Sequence, residues 1–352
     1  MINASGIGVY LRGILPYVLQ SKNDFFLLGK SLQLQPFTSY TNVYVIECDI
    51  KPFSIRELFF FPLQIRKKIN SSCLFFTPFI NIPSCIKIPV ITTIHDLAFY
   101  DITGLTSSIG LIIRKWFFHR AYRISNKIFT VSHFSKSRIE YHFGSKKPVI
   151  VTYSAIQQIF IDYRKNAKNI AKNNTIVFTG NIKKHKGLDC LLNAFIAARE
   201  QGFYHKLVII GEKDKFRSSD INILKTIESI KSQSNDNIIE FTGFISNDKL
   251  MEYISRASLL IQPSFYEGFG LPPLEAMILG TQALISDIPV FREIYDGFPV
   301  IFFKPGDPED LKEKMLDILK QDSNKKISLP EQLESKYTFQ KCSSVILSNL
   351  NT

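Results

Sequence analysis

Short apolar runs alternate with longer amphipathic stretches along this chain of 352 residues. VYVIE (43–47), SCLFFT (72–77), PVITTIHD (89–96), KIFTVS (127–132) and PVIVTY (148–153) read as short buried strands. Between them IGLIIRKWFFHRAYRIS (109–125) is the clearest helical segment. Such alternation predicts an α/β fold in which helices wrap a parallel sheet. A polar stretch, DYRKNAKNIAKNNT (162–175), then reads as a linker, and beyond it the pattern restarts. IVFTGNIKKHKGLDCLLNAFIAA (176–198) is strand, glycine turn, basic loop and helix. KLVIIGEKD (206–214), IIEFTGFI (238–245) and ASLLIQPS (257–264) are further strands, and QALISDIPVFREI (282–294) follows. Two domains suit the length at roughly 150 residues each, and 45% hydrophobic residues are enough for two cores.

Charge separates the halves. Residues 1–170 carry 21 Lys and Arg against 8 Asp and Glu, whereas residues 171–352 carry 22 against 23. A basic first half suits an anionic partner: nucleic acid, an acidic membrane surface or a phosphorylated substrate. Within it Arg114, Lys115, His119, Arg120 and Arg123 interleave with aromatic residues, a pattern that fits both a membrane-facing helix and a core helix with a solvated edge. LFFFPL (58–63), broken by Pro62 and followed by RKK, fits both a core strand and a loop dipping into a surface. Five scattered cysteines without a CxxC spacing match neither a disulfide framework nor a zinc site, so a reducing cytosol is expected. No signal peptide opens the chain, and no apolar run reaches the roughly 18 residues of a membrane span.

Candidate chemistry gathers at the ends of predicted strands. SGIGVYLRGILPYVL (5–19) is a glycine turn entering a helix, where backbone N–H groups can meet an anion. A dinucleotide fingerprint wants a glycine at Leu11 and fails. Only Met1 to Ser5 precede this turn, too few for the strand that should feed it, so a native start further upstream is expected. His95 and Asp96 close a strand, where open α/β sheets place ligands. A structural cap and a sugar-hydroxyl contact both fit that pair. In TGNIKKHKG, Gly180 permits close backbone approach, and Lys183, Lys184 and Lys186 offer ammonium groups near a helix N-terminus, suited to a diphosphate. In SFYEGFGLPPLE (264–275), Pro272 and Pro273 fit a first helical turn. Glu267 then lies in the loop before that helix and Glu275 about one turn into it, flanking the nearly side-chain-free turn between them. Two carboxylates can serve as a glycosidase acid/base pair. A lysine-rich phosphate loop beside them favours a sugar nucleotide, whose vicinal hydroxyls pair with carboxylates.

SFYEGFGLPPLEAMILGTQALISDIPVFREI resembles the signature segment of the retaining family 4 glycosyltransferases, whose mark is Glu-x7-Glu, met by Glu267 and Glu275. NASGIGVYLRGILP, ITTIHDL, TVSHFSKSRI, FTGNIKKHKGLDCLLNAF, LVIIG, FTGFISNDKLMEYISRASLLIQPS and FKPGDPEDL fall in that family's order, nearly end to end. The resemblance implies a GT-B fold: two Rossmann-like domains with parallel sheets facing a central cleft. Residues 1–160 would bind acceptor, with the first strand missing, and residues 173–335 would bind the nucleotide-sugar donor. Residues 336–352 would form a helix, centred on 338–350, that crosses back to the first domain.

By the same resemblance, Glu275 would bind ribose and Glu267 the transferred sugar, with Gly268 in the turn between them. Backbone at Phe269, Gly270 and Leu271 would hold sugar and phosphate. Lys186 would take the diphosphate, supported by Gly180, Asn181 and Lys183, and Phe244 with Ile245 would take the base. Gly6, Ile7 and Gly8 would lie beside the phosphates. His95 would face the donor sugar, with His95 and Asp96 on the acceptor side, so His95, Glu267 and Lys186 are the expected catalytic set. Configuration would be retained by same-face attack, with no metal and no cofactor. Two departures stand out: Asn181 replaces the usual Arg, and Gln282 replaces the usual Pro. The phosphate loop and IHDL resemble bacterial polysaccharide transferases. The donor expected is thus GDP-mannose ahead of a UDP-hexose, in O-antigen or capsule synthesis. The acceptor would be a glycan or lipid-linked glycan, reached from the cytoplasm at an anionic membrane surface, without nucleic acid. Competing readings are a non-catalytic nucleotide-sugar or nucleic-acid binder and an epimerase or phosphorylase.

Overall fold

The computed structural model describes residues 6–51, 54–166, 170–211, 238–320 and 335–350. Its contacts divide the chain into two units. One comprises Met1–Asp101, Thr106–Gln157 and Lys336–Thr352, the other Ile102–Leu105 and Gln158–Ser335.

In the first unit, strands β1 (Phe25–Gly29) and β2 (Val43–Glu47) pair in parallel as a separate ribbon. A four-stranded parallel sheet follows in the order β3 (Phe75–Thr77), β4 (Val90–Thr93), β5 (Lys127–Thr130), β6 (Val149–Val151). Val90, Ile128 and Val149 pack on one face against Phe118, Ala121 and Tyr122 of the Ser108–Ile124 helix. The opening glycine turn feeds the Ile7–Val18 helix, and the residues before Gly6 lie outside the described residues. That helix packs against the last one, Phe339–Leu350. At their contact a Cβ on Gly13 would fall 2.2 Å from the Phe339 ring, so only glycine admits this approach. The Ser343 hydroxyl donates to the Ile14 carbonyl at 3.2 Å.

Three segments fold in ways the sequence does not announce. FFLLG forms β1 although it was not read as a strand; its five residues have no alternation to mark them. LFFFPL is neither strand nor plain loop: Ile55–Phe59 and Leu63–Asn70 are short helices that meet at Pro62. Ser54 starts the first by accepting the Glu57 N–H at 3.1 Å. Nor is 162–175 a linker. The Gln158–Asn166 helix runs into it, and a strand begins again at Asn173. Its polar residues misled because this helix buries only Phe160 and Ile161.

The second unit holds six parallel strands: β7 (Asn173–Thr179), β8 (Lys206–Ile210), β9 (Ile239–Gly243), β10 (Ala257–Gln262), β11 (Gln282–Ser286) and β12 (Val300–Phe303). Their order is β12-β11-β10-β7-β8-β9. The chain thus winds one way from β7 to β9, returns to β7's other side at β10, and winds the opposite way. This is the doubly wound arrangement, and its switch point lies between β7 and β10, where such sheets open a crevice beyond their carboxyl ends. Ile176, Phe178, Leu259 and Ile261 are wholly buried, as strands covered by helices on both faces must be.

Candidate functional site

Two loops leave the sheet at that switch point, one after β7 and one after β10. Gly180 stays pinned to the end of β8, its N–H donating to the Ile210 carbonyl at 3.0 Å. Further along, the Phe265 N–H of the second loop donates to the His185 carbonyl of the first at 2.8 Å. Gly187 has φ +67°, and a Cβ there would lie 2.0 Å from the Pro263 carbonyl oxygen. Any side chain would therefore wedge the two loops apart.

This closeness brings Lys186 to Glu267. The ammonium lies 2.6 and 2.7 Å from the two carboxylate oxygens. Ser264 Oγ donates to Glu267 Oε1 at 2.8 Å, and Gln262 Nε2 reaches the same oxygen at 3.3 Å. Glu267 is buried, and burying an isolated carboxylate costs several kcal/mol. A bidentate ammonium and two neutral donors offset that cost. The sequence reading gave Lys186 to a diphosphate and Glu267 to a sugar; here each is the other's partner. An incoming polyanion would compete with Glu267 for Lys186. Asn181, Lys183 and Lys184 are exposed on the same loop.

The second acid has a different environment. Gly270, with φ +83°, starts the Leu271–Ile278 helix, and the prolines occupy its first turn as expected. A Cβ on Gly270 would fall 2.3 Å from the Phe291 ring, and the Tyr295 hydroxyl donates to the Gly270 carbonyl. The Pro289–Tyr295 helix thus holds the turn from behind. Phe269 is buried, while Gly268 and Leu271 are half-buried. Glu275 is buried, and the described residues give its carboxylate no hydrogen bond. Burial alone pushes its pKa up to about 7. Of two acids eight positions apart, one is neutralised by a lysine and the other has no donor among the described residues. Phe244, which follows the edge strand β9, is 82% exposed, and Ile245 is half-buried. They stand two strands, about 10 Å, along the sheet from β7.

The remaining expected residues belong to the first unit. Gly6 caps the Ile7–Val18 helix, Ile7 opens it, and Gly8 is buried in its first turn. His95, at the carboxyl end of β4, has Nε2 at 3.0 Å from the Pro78 carbonyl, which requires a proton on Nε2. Burial lowers its pKa, so the imidazole is neutral, and the Tyr10 ring lies edge-on 5.1 Å away. Asp96 accepts the Ala98 N–H at 3.0 Å and thereby caps the short Ala98–Asp101 helix. The sequence reading assigned no role to Gln262 or Ser264. Two polar residues at the end of the apolar run ASLLIQPS were the signal available.

Residues 160–335 match the model of the family described as Glycosyl transferases group 1. An uncharacterised glycosyltransferase of Methanocaldococcus jannaschii is 27% identical over 261 residues, covering 73% of this chain and 66% of that protein. The O-antigen chain mannosyltransferase B of Escherichia coli is 23% identical over 72% of this chain and 68% of its own length. The match to the archaeal relative thus spans just under two thirds of that protein. Among solved structures, Anabaena HepE in complex with UDP-glucose superposes with a TM-score of 0.68 at 15% identity, covering 99% of this chain and 97% of that one. That likeness concerns the fold, and HepE is a GT-B neighbour. The family match covers the whole span that carries Lys186, Glu267 and Glu275, and so half of the chain. This chain therefore belongs to the group 1 glycosyltransferases.

Proposed function

We propose that the chain moves a hexose from a nucleotide-diphosphate sugar to a glycan or lipid-linked glycan acceptor, with retention of configuration, in surface polysaccharide synthesis. The observation that carries this reading is the pair of buried acids at the switch point of the six-stranded sheet. Glu275, without a hydrogen bond from the described residues, is an acceptor for a ribose diol. Glu267 and Lys186 sit where the two loops touch, so a diphosphate drawing on Lys186 frees Glu267 for a sugar hydroxyl. The exposed Phe244 offers a flat face to the base.

In this reading the departing diphosphate, held by Lys186 and the loop amides, accepts the acceptor's proton as the new bond forms on the same face. His95, neutral with its proton on Nε2, belongs to the acceptor side in this reading. Asn181 supplies no charge to the leaving group, and Lys183 takes that part. The transfer requires neither a metal nor a cofactor, so turnover is unchanged by a chelator. GDP-mannose is the favoured donor, supported by relatives that carry the name mannosyltransferase. A UDP-hexose is the second reading, supported by the UDP-glucose in the HepE structure. A donor screen that measures nucleoside diphosphate release tests both. Release from GDP-mannose alone favours the first, release from UDP-sugars alone the second, and release from none refutes the transferase reading.

A further inference from the structure

The Ser108–Ile124 helix has two apolar faces. Phe118, Ala121 and Tyr122 point into the core, but Ile109, Ile112, Ile113 and Trp116, at spacing i, i+3, i+4 and i+7, lie on the outside. Ile109 is 72% exposed and Ile112 68%. A second exposed group, Phe59, Phe60 and Leu63, sits where the two short helices meet at Pro62, and Phe60 is 67% exposed.

A chain of contacts joins the two groups within the first unit. Arg120, whose guanidinium lies 5.9 Å from the Trp116 ring, donates to the Ile82 carbonyl and to Ser84 Oγ. Ser84 N–H in turn donates to the Leu58 carbonyl at 2.8 Å, immediately before Phe59. Exposed apolar side chains clustered in this way commonly mark an interaction site. The charge around it has one sign. Residues 54–70 and 108–124 hold eight Lys and Arg against a single carboxylate, Glu57, which accepts from Asn81. Arg56, Arg66, Lys67 and Lys68 are exposed.

We propose that this face docks on an anionic phospholipid bilayer. Phe59, Phe60, Leu63, Ile112 and Trp116 enter the interface, and the surrounding cations meet lipid phosphates. A protein partner would need acids around an apolar pocket; a bilayer supplies both features without shape matching. The proposal deepens the reading of a lipid-linked acceptor and rests on it for its purpose, but docking itself needs neither donor nor acceptor.

Trp116 is the chain's single tryptophan, so its fluorescence reports on this face alone. With vesicles of phosphatidylcholine and phosphatidylglycerol, the emission moves to the blue and is quenched by brominated acyl chains. With phosphatidylcholine alone, or in high salt, it stays in place. The F59S/F60S variant binds anionic vesicles about tenfold more weakly, and K67A/K68A loses about tenfold or more. Both keep wild-type nucleotide release with a water-soluble acceptor. An unchanged spectrum with the phosphatidylglycerol-containing vesicles overturns the proposal, as does an equal shift with phosphatidylcholine alone. So does a blue shift without vesicles that tracks dimer formation in sedimentation velocity, which assigns the face to a second copy. Vesicle binding without sugar transfer counts against the function alone, and transfer without vesicle binding counts against the docking face alone.

Discussion

In the second unit the candidate chemistry lies beneath the surface, with Glu267 and Glu275 buried at two loops that touch through Gly187 and Pro263. In the first unit the distinctive residues lie outside: exposed Phe60, Ile112 and Trp116, and the greater part of the net positive charge. The six-stranded sheet has a single switch point, which dictates where a ligand can sit and which loops must supply it. Such a site is built from backbone and a few buried groups, so it survives in recognisable motifs. A surface that meets a partner by charge and apolar area has no fixed spacing. The family match covers residues 160–335, the span that holds this site.

The comparison is sharpened most strongly at the buried ion pair. Lys186→Met is expected to leave Glu267 as a buried charge without its cation, at a cost of about 3 kcal/mol or more in stability. Turnover should fall by a factor of about 100 or more. Adding Glu267→Gln should restore the melting temperature but not turnover, a combination that separates folding from chemistry. Full turnover in the single variant would remove the pair from the site.

Glu275 comes next. Its folded pKa of about 7 lies above its ordinary value, so the ionised form is disfavoured in the fold. Stability from this group is fully present below about pH 4.5 and is lost as pH rises through about 7, a loss of about 3 kcal/mol in all. Melting curves should show that loss in the wild type and not in Glu275→Gln. Donor affinity should rise across the same window, because only the carboxylate accepts both hydroxyls of a diol. A flat stability profile in both proteins would contradict the burial argument.

Gly187→Ala tests the loop contact with no change of charge. It places a Cβ against the Pro263 carbonyl at positive φ and should cost about 2 kcal/mol, with donor KM raised more than acceptor KM. The smallest effect is expected in the first unit, at Asp96. If its carboxylate only caps the Ala98–Asp101 helix, Asp96→Ala costs about 1 kcal/mol and Asp96→Asn almost nothing. An acceptor KM that rises in both variants would instead place Asp96 in acceptor binding.

Much of the second unit is legible in the sequence. ASLLIQPS and IVFTG are apolar runs ended by glycine or proline, and strands buried on both faces must look that way. Helix starts at Leu271 and Pro289 carried their prolines openly. The first unit was harder. β1 has too few residues to show a period, and LFFFPL fits a core strand and a surface loop equally well because hydrophobicity does not tell inside from outside.

By itself the sequence determined the α/β class, the strand-end location of the candidate chemistry and the two acids with their spacing. Each of these follows from local periodicity or from a short motif. Only the tertiary structure decided that Lys186 pairs with Glu267, 81 positions away, that Gln262 and Ser264 hold that acid, and that Glu275 has no donor among the described residues. It also decided which apolar residues of the Ser108–Ile124 helix face outward. The physical reason is the same throughout: partnership and burial depend on which segments the parallel sheet sets side by side, and that order is not written in any one segment.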